Sequence, residues 1–156
     1  MLNAEQFLAR IENATPAELI VITYEILLSY IEEAKQIHEW DDDAYRDNIQ
    51  RAQAALENLM DGLDMQYEIS RSFFSLYVYI NKQLMQAYFC KKPELLDECS
   101  GLLTELLDGW KQAIEKDPNP VPLEERSQQV FAGLTYGRGG KLNEYIEEDR
   151  HKSFKA

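Results

Sequence analysis

The side chains that most often carry catalysis or bind metals are few and scattered in this sequence. There are two cysteines, Cys90 and Cys99, and two histidines, His38 and His151. The cysteines lack the C-x-x-C spacing of a redox or zinc motif, and no histidine is placed to activate either thiol. The Glu-x-x-His pair of Glu148 and His151 stands alone, whereas a di-metal helical bundle uses two such pairs. The sequence therefore predicts no catalytic residue, no metal site and no enzyme.

Two short motifs admit a ligand-binding interpretation but favour a structural one. The run of Asp41, Asp42 and Asp43 resembles part of a calcium loop, yet the turn glycine and the terminal bidentate glutamate are missing. We expect it to connect two helices, with its last members favouring the N-terminus of the second helix. The glycine-rich residues 137–140 neither follow a strand nor open a clear helix, so a turn is favoured over a phosphate site. No cofactor is predicted.

The charge balance excludes several classes of partner. The 156 residues carry 28 acidic and 16 basic side chains, for a net charge of -12. The phosphate-neutralising charge that dominates nucleic-acid binding is therefore missing, and DNA, RNA and anionic membranes are unfavourable partners. No apolar run approaches the length that spans a bilayer, and residues 2–11 lack the apolar core of a signal peptide. We expect a cytoplasmic protein without membrane insertion.

These scattered residues belong to a chain whose composition and periodicity predict helices almost throughout. Proline and glycine are sparse, with 5 and 7 copies, while good helix formers are common. Thr15, Pro16 and Glu18 form a capping-box start for a first helix over residues 16–39. Two more helices are expected over residues 44–61 and 68–89. A fourth starts at Pro93, carries apolar residues from Leu95 to Ile114, and is closed by Pro118 and Pro120. Short connections make neighbouring helices antiparallel, so the predicted fold is all-α, an up-down-up-down four-helix bundle.

The predicted domain organisation places this bundle between two smaller parts. Residues 1–13 form an N-terminal segment with the spacing of a short amphipathic helix, residues 14–117 form the bundle, and residues 118–156 form a proline-rich linker and tail. We interpret the tail in one of two ways. It is either unstructured, or it reversibly occupies a partner-binding groove through its apolar side chains. These side chains are Leu134, Tyr136, Leu142, Tyr145 and Ile146.

The third predicted helix, residues 68–89, has more apolar surface than one core contact needs. One face carries the core-like stripe of Ile69, Phe73, Tyr77, Ile80 and Leu84, and a second stripe lies beside it. A middle helix that touches two neighbours explains such a surplus without any partner. The excess also occurs on the first half of the first helix, however, and aromatic residues and methionine are typical of grooves that receive amphipathic helices. The candidate partner-binding residues are Phe74, Val78, Met85 and Phe89, with Ile22 and Ile26.

Several stretches resemble the FliS family of flagellar export chaperones. Residues 14–20, Ala-Thr-Pro-Ala-Glu-Leu-Ile, are similar to the family's A-S-P-x-x-L-[IV] helix start. Leu63-Asp64, Glu68-Ile69 and residues 76–81 resemble its L-D…G-E-I…L-Y-D-Y-M block. Trp110-Lys111 matches a Trp-Lys pair near the end of the fourth helix. The pattern departs at Gln66-Tyr67, Val78 and Glu25-Ile26, and two of these changes enlarge the apolar surface.

The resemblance implies a cytoplasmic chaperone that holds the C-terminal helical segment of flagellin and prevents premature polymerisation before type III secretion. It also implies the flagellar export machinery as a further partner. Two other classes remain open from the residues themselves. One is a non-catalytic four-helix interaction or signalling bundle with a different helical client, and the other is a metal-dependent bundle enzyme.

Overall fold

The computed structural model describes residues 4–116, and the regular structure in this range is entirely helical. The all-α prediction is therefore confirmed. Residues 4–116 form five helices rather than four, because part of the N-terminal segment is also helical. The helices are α1 (Ala4–Asn13), α2 (Pro16–Ile37), α3 (Asp42–Asp61), α4 (Glu68–Phe89) and α5 (Glu94–Lys116).

Local side chains define where α2 and α3 begin. Thr15 accepts a hydrogen bond from the Glu18 N–H at 3.2 Å, and the Glu18 carboxylate accepts one from the Thr15 N–H at 3.0 Å. This is the reciprocal capping box that the sequence predicts. Asp41 caps α3 by accepting from the Ala44 N–H at 2.9 Å. The aspartate run is therefore the start of a helix, with one carboxylate as cap and the next two in the first turn.

The ends of α3 and α4 differ in backbone conformation. Gly62 caps α3 at φ -80°, in the right-handed region, so this helix end does not need a glycine. At the end of α4, the Cys90 N–H donates to the Gln86 carbonyl and the Lys92 N–H to the Ala87 carbonyl. Between them Lys91 adopts φ 48°, the left-handed conformation that usually takes glycine. α4 therefore ends in a Schellman turn whose left-handed residue is a lysine.

The four long helices contact one another in a ring, α2 with α3, α3 with α4, α4 with α5 and α5 with α2. One continuous cluster of buried apolar side chains fills the space between them. Heptad-like spacing predicts one apolar seam on α3, and its residues are all buried: Ile49, Ala52, Leu56, Leu59 and Leu63. Cys99 is also fully buried and donates its S–H to the Ile80 carbonyl at 3.8 Å, so it is a core residue.

Periodicity predicts a seam on α2 of Leu19, Thr23, Leu27, Tyr30, Ala34 and Ile37, but the side chains that α2 buries lie partly beside this seam. Leu27 and Ala34 are buried as expected, whereas Leu19, Thr23 and Tyr30 are only half-buried. The displacement is possible because the first half of α2 is apolar on nearly all sides, so periodicity alone does not select one face. The side chains that α2 buries are Ala17, Val21, Ile22, Tyr24, Leu27, Ile31 and Ala34.

A polar cluster lies inside the core and joins three helices. The hydroxyl groups of Tyr24 and Tyr77 hydrogen-bond each other, and the Trp110 indole N–H donates to the Tyr24 oxygen at 3.3 Å. All three side chains are fully buried. Burial raises the pKa of Tyr24 to about 12 and the pKa of Tyr77 well above its ordinary value. Both phenols are therefore neutral at physiological pH, and the cluster links α2, α4 and α5 at one position.

Candidate binding surface

The second stripe of α4 runs along the side of the helix that the core does not take up. Phe74 and Val78 are half-buried and pack against the edge of the core. Met85 is 42% exposed and Phe89 is 72% exposed. Apolar side chains of this size are rarely left exposed on successive turns of one helix without a partner. The predicted stripe thus runs from a packed beginning to an exposed end.

The exposed end of the stripe lines a shallow cavity between α3 and α4. Met85 and Phe89 line a cavity of about 240 Å³ together with Gln50, Gln53 and Tyr88. The Tyr88 and Phe89 rings pack edge to face, with their centres 4.9 Å apart. This volume accommodates side chains rather than a whole helix, so it fits an anchor residue of a larger partner.

A polar pair separates the two halves of the stripe. The Gln53 amide of α3 donates to the Asn81 side-chain oxygen at 3.0 Å, and the Asn81 amide reaches the Met85 sulfur at 3.9 Å. Asn81 lies between Val78 and Met85 along α4. A partner that covers the whole stripe therefore meets amide groups at its centre and apolar groups at both ends.

The two candidates on α2 do not join this surface. Ile22 is only 3% exposed and lies outside the main core cluster, and Ile26 is half-buried. Ile22 lines a separate cavity of about 490 Å³ between α1, α2 and α5. The other residues that line it are Ala9, Arg10, Asn13, Ala14, Glu18, Val21, Lys111 and Ile114. The sequence-predicted contact residues thus fall on two regions of the structure.

The helix that borders this second cavity is held weakly. α1 has no buried residue, and Leu8 and Ile11 are exposed. Arg10 pairs with Glu25 of α2, with its Nη2 atom 2.6 Å from the Glu25 Oε1 atom. An ion pair with this exposure contributes about 0 to 1 kcal/mol. α1 therefore packs on α2 with little free energy of its own.

Sequence reasoning missed two exposed aromatic residues. Trp40, in the turn between α2 and α3, is 75% exposed. Tyr79 is 42% exposed and its hydroxyl donates to the Glu98 carboxylate of α5 at 2.9 Å, a bond that raises the pKa of Tyr79. Tyr79 lies one position beyond Val78, on the α5 side of α4. The exposure of Trp40 could have been predicted from the sequence, because a tryptophan flanked by Glu39 and Asp41 does not belong to an apolar stripe.

The described residues give no support to a catalytic or metal centre. Within residues 4–116 no group of three or more histidine, cysteine, aspartate or glutamate side chains is arranged to hold a metal ion. Burial raises the pKa of the Cys99 thiol to about 12, so it stays protonated and unreactive. Glu148 with His151 and the glycine-rich residues 137–140 lie outside the described residues. None of the helices in residues 4–116 contains an apolar stretch that could span a lipid bilayer.

This architecture and surface define an all-helical protein whose candidate site is an apolar contact surface. Residues 2–117 match the family described as Flagellar protein FliS. The chain is 33% identical over 108 residues to the flagellar secretion chaperone FliS of Bacillus subtilis (strain 168). The aligned stretch covers 69% of this chain and 81% of that protein.

The chain belongs to the FliS family, and the resemblance read from the sequence is confirmed. The family match extends from the N-terminal segment through all five helices. The protein is therefore assigned to the chaperones of flagellum biogenesis and protein export.

Proposed function

We propose that this protein is a cytoplasmic export chaperone for flagellin. It binds the C-terminal helical segment of flagellin, prevents premature polymerisation and keeps the client ready for flagellar type III secretion. The flagellar export machinery is then a further partner. Support comes from family membership together with the name of the B. subtilis relative, a flagellar secretion chaperone.

One observation supports a helical segment as the client. Met85 and Phe89 stand exposed one turn apart on a rigid helix, at the end of a stripe that begins at Phe74 and Val78. Apolar stripes of aromatic residues and methionine suit an amphipathic partner helix, because its own apolar side chains recur at the same helical spacing. The predicted contact residues on α4 are therefore retained in the proposal.

The proposed scaffold is an up-down-up-down arrangement of α2 to α5 over residues 14–117, flanked by the segments 1–13 and 118–156. Two contacts support antiparallel neighbours. Lys35, near the end of α2, pairs with Asp97 near the start of α5 at 2.8 Å. The Tyr45 hydroxyl, near the start of α3, donates to the Ala87 carbonyl near the end of α4 at 2.6 Å. A scaffold of this kind presents the α4 stripe as one straight surface.

Holding an unassembled segment requires a large contact area. A client segment that becomes ordered on binding loses chain entropy, and burial of roughly 1,000 to 3,000 Å² is the scale that compensates this loss. The cavity beside Phe89 supplies only an anchor within such an area. We therefore expect the client to extend along α4, and Ile22 and Ile26 stay candidate contacts on α2.

Calorimetric titration with a peptide of the C-terminal region of flagellin tests the proposal. Wild-type protein is compared with Phe89→Ala and with Tyr79→Ala as control. Both substitutions remove an exposed aromatic side chain from α4, but Tyr79 faces Glu98 of α5 instead of the stripe. An anchor aromatic contributes roughly 2 kcal/mol or more to binding, so Phe89→Ala should weaken affinity about 30-fold.

Three results are distinguishable. Tight binding with a negative heat-capacity change, weakened by Phe89→Ala and not by Tyr79→Ala, supports the proposed function and its site. If the peptide binds and neither substitution weakens the binding, the proposed function stands, but the binding site lies nearer the cavity at Ile22. No binding by folded wild-type protein refutes flagellin as the client and favours the alternative of an interaction bundle with another helical partner.

A further inference from the structure

Trp40 is the most exposed large apolar side chain in residues 4–116. The turn that carries it is well defined. The N–H groups of Trp40 and Asp41 both donate to the Ile37 carbonyl, at 2.9 and 3.1 Å, and Asp41 caps α3. Trp40 is therefore presented on a fixed turn between two long helices, and its exposure is a property of the fold.

The next most exposed aromatic residue, Phe89, lies at the same end of the molecule. The Tyr45 hydroxyl of α3 donates to the Ala87 carbonyl of α4 at 2.6 Å, and Lys91 bonds Asp42. The Arg46 guanidinium lies 5.6 Å from the centre of the Tyr88 ring. The start of α3 is thus packed on the end of α4, and it brings the turn of residues 39–43 next to the end of the α4 stripe.

The charge around Trp40 indicates what covers it. Asp42 is neutralised by Lys91 and Arg46. Glu39 and Asp43 form no ion pair with any residue in 4–116 and are exposed. Trp40 is therefore bordered by negative charge that is not compensated within the described helices. A second copy of a chain with net charge -12 is repelled from such a surface, whereas a basic segment with an aromatic side chain is attracted.

We propose that the turn of residues 39–43 receives residues 150–155 of this same chain. That segment, Arg-His-Lys-Ser-Phe-Lys, contains three cations, one aromatic side chain and no acid. It lies outside the described residues. Phe154 supplies the contact with Trp40, and the basic side chains meet Glu39 and Asp43. An arginine or lysine above the Trp40 ring adds a cation–π contribution.

The connecting chain is long enough for this contact. α5 has 23 residues, so it is about 35 Å long, and Lys35–Asp97 places its start near the end of α2. The chain therefore leaves α5 at about that distance from Trp40. Residues 117–149 can extend to about 110 Å, three times the distance to be covered. Because the segment is tethered, its effective concentration at the turn is in the millimolar range, enough for a weak contact to form.

Tryptophan fluorescence tests the proposal on the full chain, because the other tryptophan, Trp110, is fully buried and shielded from a neutral quencher such as acrylamide. The full chain is compared at low ionic strength with a chain that ends at Asp149. We expect truncation to increase acrylamide quenching about twofold, as when half of the molecules hold Trp40 covered. At about 1 M NaCl, where the Debye length falls to about 3 Å, the difference should disappear.

Charge reversal distinguishes a specific contact from a general effect of net charge. Asp43→Lys in the full chain should increase quenching as truncation does. Glu57→Lys is the matched control, since Glu57 is an exposed acid of α3 distant from Trp40 along the helix, and it should leave quenching unchanged. Equal quenching of the full and truncated chains at low salt overturns the proposal. An equal response to Asp43→Lys and Glu57→Lys also overturns it.

Discussion

Replacing Tyr24 with phenylalanine tests the buried polar cluster that joins α2, α4 and α5. The substitution keeps the ring and removes one oxygen, which accepts from the Trp110 N–H at 3.3 Å and hydrogen-bonds the Tyr77 hydroxyl. Both partners are fully buried, so water does not replace the lost bonds. A buried polar group that loses its partner costs about 1 to 3 kcal/mol. The Tyr77 hydroxyl loses its hydrogen-bond partner, and the bond from the Trp110 N–H is lost as well, so we expect the free energy of unfolding to fall by roughly 2 to 4 kcal/mol.

Tyr45→Phe is the matched control. Tyr45 is also fully buried, and its hydroxyl donates to the Ala87 carbonyl at 2.6 Å. That carbonyl keeps another donor, the Lys92 N–H at 3.3 Å, after the substitution. Only the net contribution of one hydrogen bond is then lost, about 1 kcal/mol. Tyr24→Phe should therefore destabilise the protein clearly more than Tyr45→Phe.

Urea unfolding followed by far-UV circular dichroism measures the difference. Equal slopes against urea are required, because a changed slope reports a changed native or unfolded state. In a thermal scan each 1 kcal/mol corresponds to about 2 to 4 °C for a chain of this size. If Tyr24→Phe costs no more than Tyr45→Phe, the cluster does not stabilise the fold as the geometry implies, and the argument fails.

Three further predictions concern stability. Gly101→Ala should raise the free energy of unfolding by about 0.5 to 1 kcal/mol in urea, because Gly101 lies inside α5 and an added Cβ meets no atom within 4 Å; a loss of stability would contradict that open geometry. Asp41→Ala should cost about 1 kcal/mol by removing the α3 cap, while Asp41→Asn should cost less, and equal losses would argue against capping. Alkaline pH should destabilise the protein because the pKa of Tyr24 is raised from 10.0 to about 12 in the folded state. Stability is then complete below pH 10 and falls by up to about 3 kcal/mol as the pH rises toward 12, a loss that Tyr24→Phe should reduce.

The positions of the helices could be predicted from local chemistry. The capping box at Thr15 and Glu18 forms with atoms three residues apart, so its recognition needs no knowledge of the rest of the fold. The α4 bounds, residues 68–89, agree with the prediction. The start of α3 lies two residues earlier than expected, because Asp41 serves as the cap and Asp42 already belongs to the first turn.

The candidate site was predictable only in part. The exposed end of the stripe, Met85 and Phe89, follows from an apolar sector of α4, interrupted by Asn81, that the core does not need. The neighbouring candidates on α2 did not follow in the same way. Ile22 is covered beside α1, and only the packing of that short helix decides whether an apolar side chain on the outer face of α2 is reached by solvent.

What the sequence alone determined is the helical class, the capped start of α2 and the α3 core face, because caps, proline positions and one clear apolar stripe act over a few residues. The tertiary structure decided which of two apolar faces of α2 is buried, since that choice depends on where Tyr24 meets Tyr77 and Trp110 across three helices. It also decided that Trp40 stands exposed beside the end of α4, because the contact between Asp42 and Lys91 joins residues 49 positions apart. Interactions over such separations leave no period in the sequence, and only the packed fold brings them together.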